Sequence, residues 1–245
     1  MRIAVLSDIH ANIRALDAIL ARAGSVDAVW HLGDVVGYGP DPDAVIDRLR
    51  ECGAVGVRGN HDLAATGDDV IRDFNVDARA AMEWTRRTIS PISRSWLAAL
   101  PAGLVIGSYS LVHGSPRDPT WEYIVTESVA AENLALLPTA NGLFGHTHLP
   151  MAYVLSGEDV SGDDVETLQP EPGAVLSLAG RRALVNPGSV GQPRDGDPRA
   201  SALVLDTAAG QVTWIRAAYD IEATQAAMRA ARLPARGIAR LSLGY

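Results

Sequence analysis

Five short apolar runs along the chain end in the same way, in a turn built from Asp, His, Asn and Gly. IAVLS runs into Asp8-Ile9-His10, AVWHL into Gly33-Asp34, and AVGVR into Gly59-Asn60-His61-Asp62. SLV runs into His113-Gly114, and GLF into Gly145-His146-Thr147-His148. A short apolar run bounded by turn residues reads as a strand buried on both faces. In an open α/β sheet the carboxyl ends of such strands converge on one crevice, where ligands bind. The pattern therefore constrains two things together: a layered α/β fold, and a single place where the polar turns meet.

The segments between the runs agree with this reading. Ile13, Leu16, Ile19 and Leu20 recur at helical spacing from Asn12 to a stop near Gly24, and Pro40 and Pro42 lead into a second helix over Asp43 to Cys52. Strands at Arg2–Ser7, Ala28–Leu32 and Ala54–Val57, separated by helices, imply a parallel sheet with right-handed crossovers. Thr66 to Leu100 reads as helical with a break at Pro91. From Leu104 the character changes to short strands: Leu104–Ile106, Tyr109–Val112, Gly142–Phe144, Met151–Leu155, Ala174–Leu178, Ala183–Asn186, Ala202–Leu205 and Val212–Arg216. Gly157 to Pro172 is acidic and rich in Gly and Pro, which predicts a mobile surface loop, and Ile221 to Leu233 predicts a closing helix. The expectation is one domain over residues 1–245, a parallel half and a hairpin-rich half, with a helical insertion at about 66–100.

The turns carry metal-ligand chemistry. In extended backbone, residues two apart point the same way, so Asp8 with His10, and His146 with His148, converge on one site. Imidazole, carboxylate and amide oxygen without thiolate suit divalent Mn, Fe, Co, Ni or Zn. The lone cysteine, Cys52, provides neither a disulfide nor a thiolate cage. Seven donors (Asp8, His10, Asp34, Asn60, His113, His146 and His148) exceed what one four-coordinate ion takes, which predicts two ions sharing a carboxylate. Asp34, alone at its strand end, is the best bridge. The remaining histidine inside a run, His31, reads as a core residue.

Charge narrows the partners. Lys and Arg number 21 against 29 Asp and Glu, a net charge of −8 that argues against nucleic acid or an anionic membrane as the main partner. The uncharged stretches Ser95–Val112 and Asn133–Gly157 are broken by Pro, Gly, Ser, Asn or His, and neither reads as an apolar helix of about 20 residues. A cytoplasmic protein is expected, with a homo-oligomer left open.

In their order along Asp8 to His148, the motifs D-x-H, G-D, G-N-H-D, H and G-H-T-H resemble the calcineurin-like metallophosphoesterase superfamily. Asn186-Pro187-Gly188-Ser189 resembles the later N-P-G-S segment of its small bacterial and archaeal phosphodiesterase branch. The resemblance implies a two-sheet β sandwich flanked by helices. It implies a dinuclear metal-dependent phosphoesterase acting on small phosphodiesters or phosphoanhydrides, nucleotides among them. Carried over by motif, Asp8, His10, Asp34 and His148 would bind one ion, and Asp34, Asn60, His113 and His146 the second. His61 would be the acid or transition-state stabiliser beside the phosphate, with Asp62 either orienting it or standing as a solvated turn residue. Two ions about 3.5–4 Å apart acidify a shared water for in-line attack on phosphorus.

One segment departs from the pattern. Protein phosphatases and symmetrical dinucleotide hydrolases of the superfamily carry G-D-x-V-D-R-G, whereas Gly33 to Pro40 here contains no Arg. Arg58 or Arg194 could supply the missing phosphate clamp, and each reads equally as a surface ion-pair residue. Tyr38 and Phe74 could cover the crevice and stack on a base, although Phe74 and Trp84 also suit a helix core. The ending NPGSVGQPR resembles asymmetrical diadenosine tetraphosphate hydrolases, an alternative within the same chemistry. A non-catalytic scaffold of this fold is opposed by the presence of His61 and every ligand, and a DNA nuclease by the charge.

Overall fold

Strands that are apolar on both faces need cover on both sides. The computed structural model, which describes residues 1–67, 69–155 and 164–245, provides it by stacking two sheets between helical layers. The first part of the chain runs β1 (Arg2–Leu6), α1 (Ile13–Ala23), β2 (Ala28–His31), α2 (Pro42–Glu51), β3 (Val55–Gly56) and α3 (Asn60–Ala65). A 3₁₀ turn (Asp69–Asp73), α4 (Val76–Thr88) and α5 (Pro91–Ala98) lead to β4 (Gly103–Ile106), β5 (Tyr109–Val112), α6 (Glu127–Leu136) and β6 (Asn141–Leu143). The remainder is β7 (Pro150–Leu155), β8 (Val165–Leu168), β9 (Val175–Ser177), β10 (Ala183–Pro187), β11 (Ala200–Asp206), β12 (Gln211–Ala217), α7 (Ile221–Ala230) and α8 (Ala235–Leu243).

One sheet has the order β3-β2-β1-β11-β12-β9 and the other β4-β5-β6-β10-β7-β8. The first three strands are parallel, as the alternation of strand and helix predicts. Beside them β11 runs antiparallel to β1, with Ile3 opposite Leu205 and Val5 opposite Leu203. Side-chain alternation then sorts the apolar residues. Ile3, Val5, Leu203, Leu205 and Val185 point between the sheets. Ala4, Leu6, Ala202 and Val204 point outward against Leu16, Ile19, Ile46 and Leu49 of α1 and α2. Burying each such large side chain contributes about 1.5–3 kcal/mol. The other sheet is covered by α6, through Ala130, Leu134 and Leu137 on Phe144, Tyr153 and Leu184.

Four expectations need correction. The later half is not simply hairpins, because β5, β6 and β10 run parallel, with α6 between β5 and β6 in the chain. Helix α6 shows no clear stripe: Leu134 is buried while Leu136 is 54% exposed, so its apolar residues do not mark one face. Within Gly157–Pro172, residues 157–163 lie outside the described residues, and Val165–Leu168 forms an edge strand antiparallel to β7 rather than loop. The closing helix is a pair, interrupted by Pro234, which precedes α8. The G-N-H-D segment is the start of α3 rather than a free turn. Among the described residues no helix is long and apolar enough to cross a membrane.

Candidate metal centre

The polar strand ends meet at one edge of the sandwich. Asp8 and His10 leave β1, Asp34 follows β2, Asn60 and His61 open α3, His113 follows β5, and His146 and His148 follow β6. Asp8, His10, Asp34 and His148 form one group and Asp34, His113 and His146 another, with the donor atoms of each group within 4.8 Å of one another. Asp34 belongs to both. Asn60 joins the second group, its Oδ1 3.1 Å from His113 Nε2. All seven are buried.

Bringing these groups together bends the backbone hard. Asp8, His10, Asp34, His146 and His148 have positive φ between 48° and 65°, as do Ala11 and Tyr38. For residues other than glycine this conformation costs about 1–3 kcal/mol each and persists only where surrounding structure enforces it. The enforcement is visible. A Cβ on Gly59 would stand 2.1 Å from Asp34 Oδ1, so only glycine lets the two turns approach. The His61 N–H donates to that same Oδ1 at 2.9 Å. The Asn186–Ser189 segment ties two of the turns: Asn186 Nδ2 donates to the Gly145 carbonyl at 2.8 Å, and Ser189 Oγ to the Asp8 carbonyl at 2.8 Å.

Hydrogen bonds to the histidines decide what their free nitrogens can do. Nδ1 of His10, His113 and His148 faces the carbonyls of Val36 (3.1 Å), Leu32 (2.9 Å) and Gln192 (2.6 Å). A carbonyl only accepts, so each Nδ1 carries the proton and the neutral ring presents a lone pair at Nε2. Those lone pairs face other acceptors. His10 Nε2 lies 3.1 Å from His148 Nε2, His148 Nε2 lies 3.2 Å from Asp8 Oδ1, and His113 Nε2 lies 3.5 Å from Asp34 Oδ2. Asp8 Oδ1 and His146 Nε2 are buried without any hydrogen-bond partner. Burial holds His10, His113 and His148 below the ordinary imidazole value and lowers His146 to about 2. Burial, followed by the neighbouring Asp8 and Asp62, raises the Asp34 carboxyl well above the usual range. Neutral imidazoles and crowded carboxylates are the state in which cations bind, and the donor set fits divalent transition-metal ions.

Above this floor lies a cavity of about 280 Å³ walled by Tyr38, Phe74, Trp121, Tyr123, Arg194 and Arg240. His61 lines it too, its ring 4.6 Å from both Tyr38 and Phe74 and 4.9 Å from His10, with Nδ1 3.2 Å from Met82 Sδ. Burial, then His148 and Arg194, holds His61 well below the ordinary imidazole value. Tyr123 stacks on His146 at 3.9 Å. Arg194 donates to Gln192 Oε1 at 3.0 Å, while its buried Nε has no partner.

The two arginines weighed as clamps therefore separate. Arg194 lines the cavity, whereas Arg58 is not among its lining residues and its backbone N–H is tied to the Pro101 carbonyl at 2.9 Å. Phe74 is both core and wall, and Trp84 packs instead beside Met228 and Leu241. Asp62 is neither a solvated turn residue nor hydrogen-bonded to the His61 ring. Fully buried, it accepts the N–H groups of Val36 (3.1 Å) and Gly59 (2.9 Å) and so pins the G-D and G-N-H-D turns together. His31 is buried against Trp96, as a core residue. Sequence reasoning missed Trp121, Tyr123 and Arg240. The first two follow His113 closely in a segment with no periodicity, and Arg240 carries no sequence signal toward the site.

The calcineurin-like phosphoesterase superfamily domain matches residues 1–210, and the chain belongs to that superfamily. It is 41% identical to a metallophosphoesterase from Sphaerobacter thermophilus whose crystal structure superposes with a TM-score of 0.90, covering 100% of this chain and 99% of that one. An uncharacterized protein of Methanocaldococcus jannaschii is 32% identical over 99% of this chain and 98% of its own length. A protein provisionally assigned as a diadenosine tetraphosphatase shares the fold at a TM-score of 0.54 and 18% identity, covering 89% of this chain and 94% of that one.

Proposed function

We propose, from membership of this superfamily, that the protein hydrolyses small phosphodiesters or phosphoanhydrides using two divalent transition-metal ions. The observation that carries this reading is the crowd of unprotonated Nε2 and carboxylate oxygens gathered around Asp34, a donor set that divalent cations would satisfy. Asp8, His10, Asp34 and His148 would hold one ion, and Asp34, Asn60, His113 and His146 the other. When bound there, the ions would supply Lewis acidity toward a water and a phosphoryl oxygen.

The other residues act on the substrate directly. His61 stands over the floor with Nδ1 against Met82, so Nε2 is the nitrogen that meets the phosphate or its leaving oxygen. An anionic phosphoryl group brings the counter-charge that a buried imidazolium there requires. Arg194 takes a non-bridging oxygen, and Tyr38 closes the cavity over His10 and His61. Hydrolysis of diadenosine tetraphosphate is the second reading, favoured by the aromatic wall of Tyr38, Phe74, Trp121 and Tyr123 on which a base can stack.

The test is to strip the protein of metal, reload it separately with Mn, Fe, Co, Ni or Zn, and assay four substrates. These are a nitrophenyl monoester, a bis-nitrophenyl diester, a cyclic nucleotide and diadenosine tetraphosphate. Metal-dependent turnover of the diester or the tetraphosphate is expected. Inactivity on all four with ions bound supports a scaffold and overturns the proposal.

A further inference from the structure

The crevice does not end at Tyr38. On the far side of that ring lies a second cavity of about 330 Å³, walled by Tyr38, Asn75, Asp77, Arg236 and Arg240 among others. Tyr38, Asn75 and Arg240 belong to both cavities. Ligand pockets commonly run to about 300–1,000 Å³, so the first cavity alone is small for a nucleotide-sized substrate, and the two together are not.

Building on the phosphoesterase reading above, we propose that Arg240 and Arg236 on α8 form a second anion subsite, so that the preferred substrate carries a further phosphoryl group beyond the one seated over Asp34. The chemical class is a phosphoanhydride or nucleoside polyphosphate rather than a diester with neutral arms.

Three observations support this. The first is unpaired charge. Among the described residues neither Arg194 nor Arg236 has an Asp or Glu carboxylate within ion-pairing distance, whereas Arg117, Arg199 and Arg216 are all matched to acids. Arg240 donates its Nε to the main-chain oxygen of Tyr245, which leaves its two terminal nitrogens facing the cavity lining. Asp73 and Asp77, the acids on the two cavity walls outside the floor, are not within salt-bridge distance of these arginines among the described residues, although Asp77 is near enough to favour the Arg240 cation. The second is proximity. Burial, then the nearby Arg194, and Arg236 as well, disfavour the Arg240 cation, opposed by Tyr38 and Asp77. Like charges gathered in a half-buried cavity are relieved by an anion that bridges them, and a guanidinium fork matches phosphate oxygens two at a time. The third is position. Arg240 lines both cavities, Arg194 only the inner one and Arg236 only the outer one. From the floor outward the cavities therefore place Arg194, Arg240 and Arg236 in that order.

The test compares two probes on the metal-loaded protein at fixed free metal: AMP, with one phosphate, and α,β-methylene-ADP, with two and no hydrolysable bridge. Calorimetry should show wild type binding the diphosphate more tightly. Arg240→Gln should weaken the diphosphate about tenfold, the worth of one charge-assisted hydrogen bond, and AMP much less. Arg236→Gln, on an exposed residue that cannot disturb the core, should act in the same direction more weakly, and Arg240→Lys should recover part of the loss. Equal weakening of both probes, or of neither, overturns the subsite while leaving the phosphoesterase reading intact. Wild type that binds neither probe and turns over none of the four substrates overturns both.

Discussion

On the floor of the crevice Asp8, Asp34 and four histidines are almost wholly buried, with lone pairs turned toward one another and, in all but His113, backbones held at positive φ. On the rim, Arg194, Arg240, Tyr38, Trp121 and Tyr123 are partly or well exposed, cationic or aromatic, and Tyr38 is the rim residue with strained backbone. The floor spends conformational energy to fix acceptors where cations can join them. The rim holds donors in ordinary conformations, where a substrate can reach them. Geometry on the floor is over-determined, by Gly59, Asp62 and the Asn186–Ser189 segment, whereas rim side chains are held by few bonds. The difference separates chemistry, which tolerates little displacement, from recognition, which can be adjusted residue by residue.

Substitutions should expose that division. Asp34→Ala removes the carboxylate common to both groups, so elemental analysis should find metal lost and diester hydrolysis abolished. Metal retained at wild-type stoichiometry would break the comparison at its centre. His61→Ala should lower kcat by about 10²–10⁴ while the ions stay, which metal content and single-turnover rates would separate. Asn186→Ala touches no donor, yet releases the Gly145 carbonyl and the Thr147 hydroxyl. A fall of about 10–100-fold in metal affinity is expected, and an unchanged affinity would mean the turns hold themselves. On the rim, Arg194→Gln should cost about tenfold in kcat/KM without loss of metal. Arg58→Gln, off the cavity, should stay within about twofold. Equal losses for the two arginines would show that the cavity boundary has been drawn in the wrong place.

The same division governs what the sequence could reveal. The floor was legible because five strand ends repeat one chemical theme and converge on one edge of the sandwich. The extended-backbone pairing of Asp8 with His10 and of His146 with His148 does not hold, since all four take positive φ and His146 and His148 fall in different groups. The parallel pairing of β1, β2 and β3 followed from alternation with α1 and α2. The placement of β11 against β1 did not, because that register depends on residues about two hundred positions apart. Asp62 was misread for a related reason: two backbone N–H groups from separate turns bury it, and neither is apparent from its neighbours in sequence. Trp121, Tyr123 and Arg240 reach the cavity from a loop and from a helix whose own pattern reports only its packing. Edge strand β8 was obscured by acidic and Gly- and Pro-rich surroundings.

Tyr38 packs against two apolar clusters at once. One includes Ile9, Val36 and Phe74; the other is the Ala81–Met228–Leu233–Ile238–Leu241 contact made by the last two helices. The ring that roofs His10 and His61 is thus propped from behind by a part of the chain that supplies no floor group. A change of one side chain on that outer helix, such as a bulkier residue at Leu241, can tilt the roof by a fraction of an ångström. Substrate preference can in this way drift over generations while the reactive machinery beneath stays untouched.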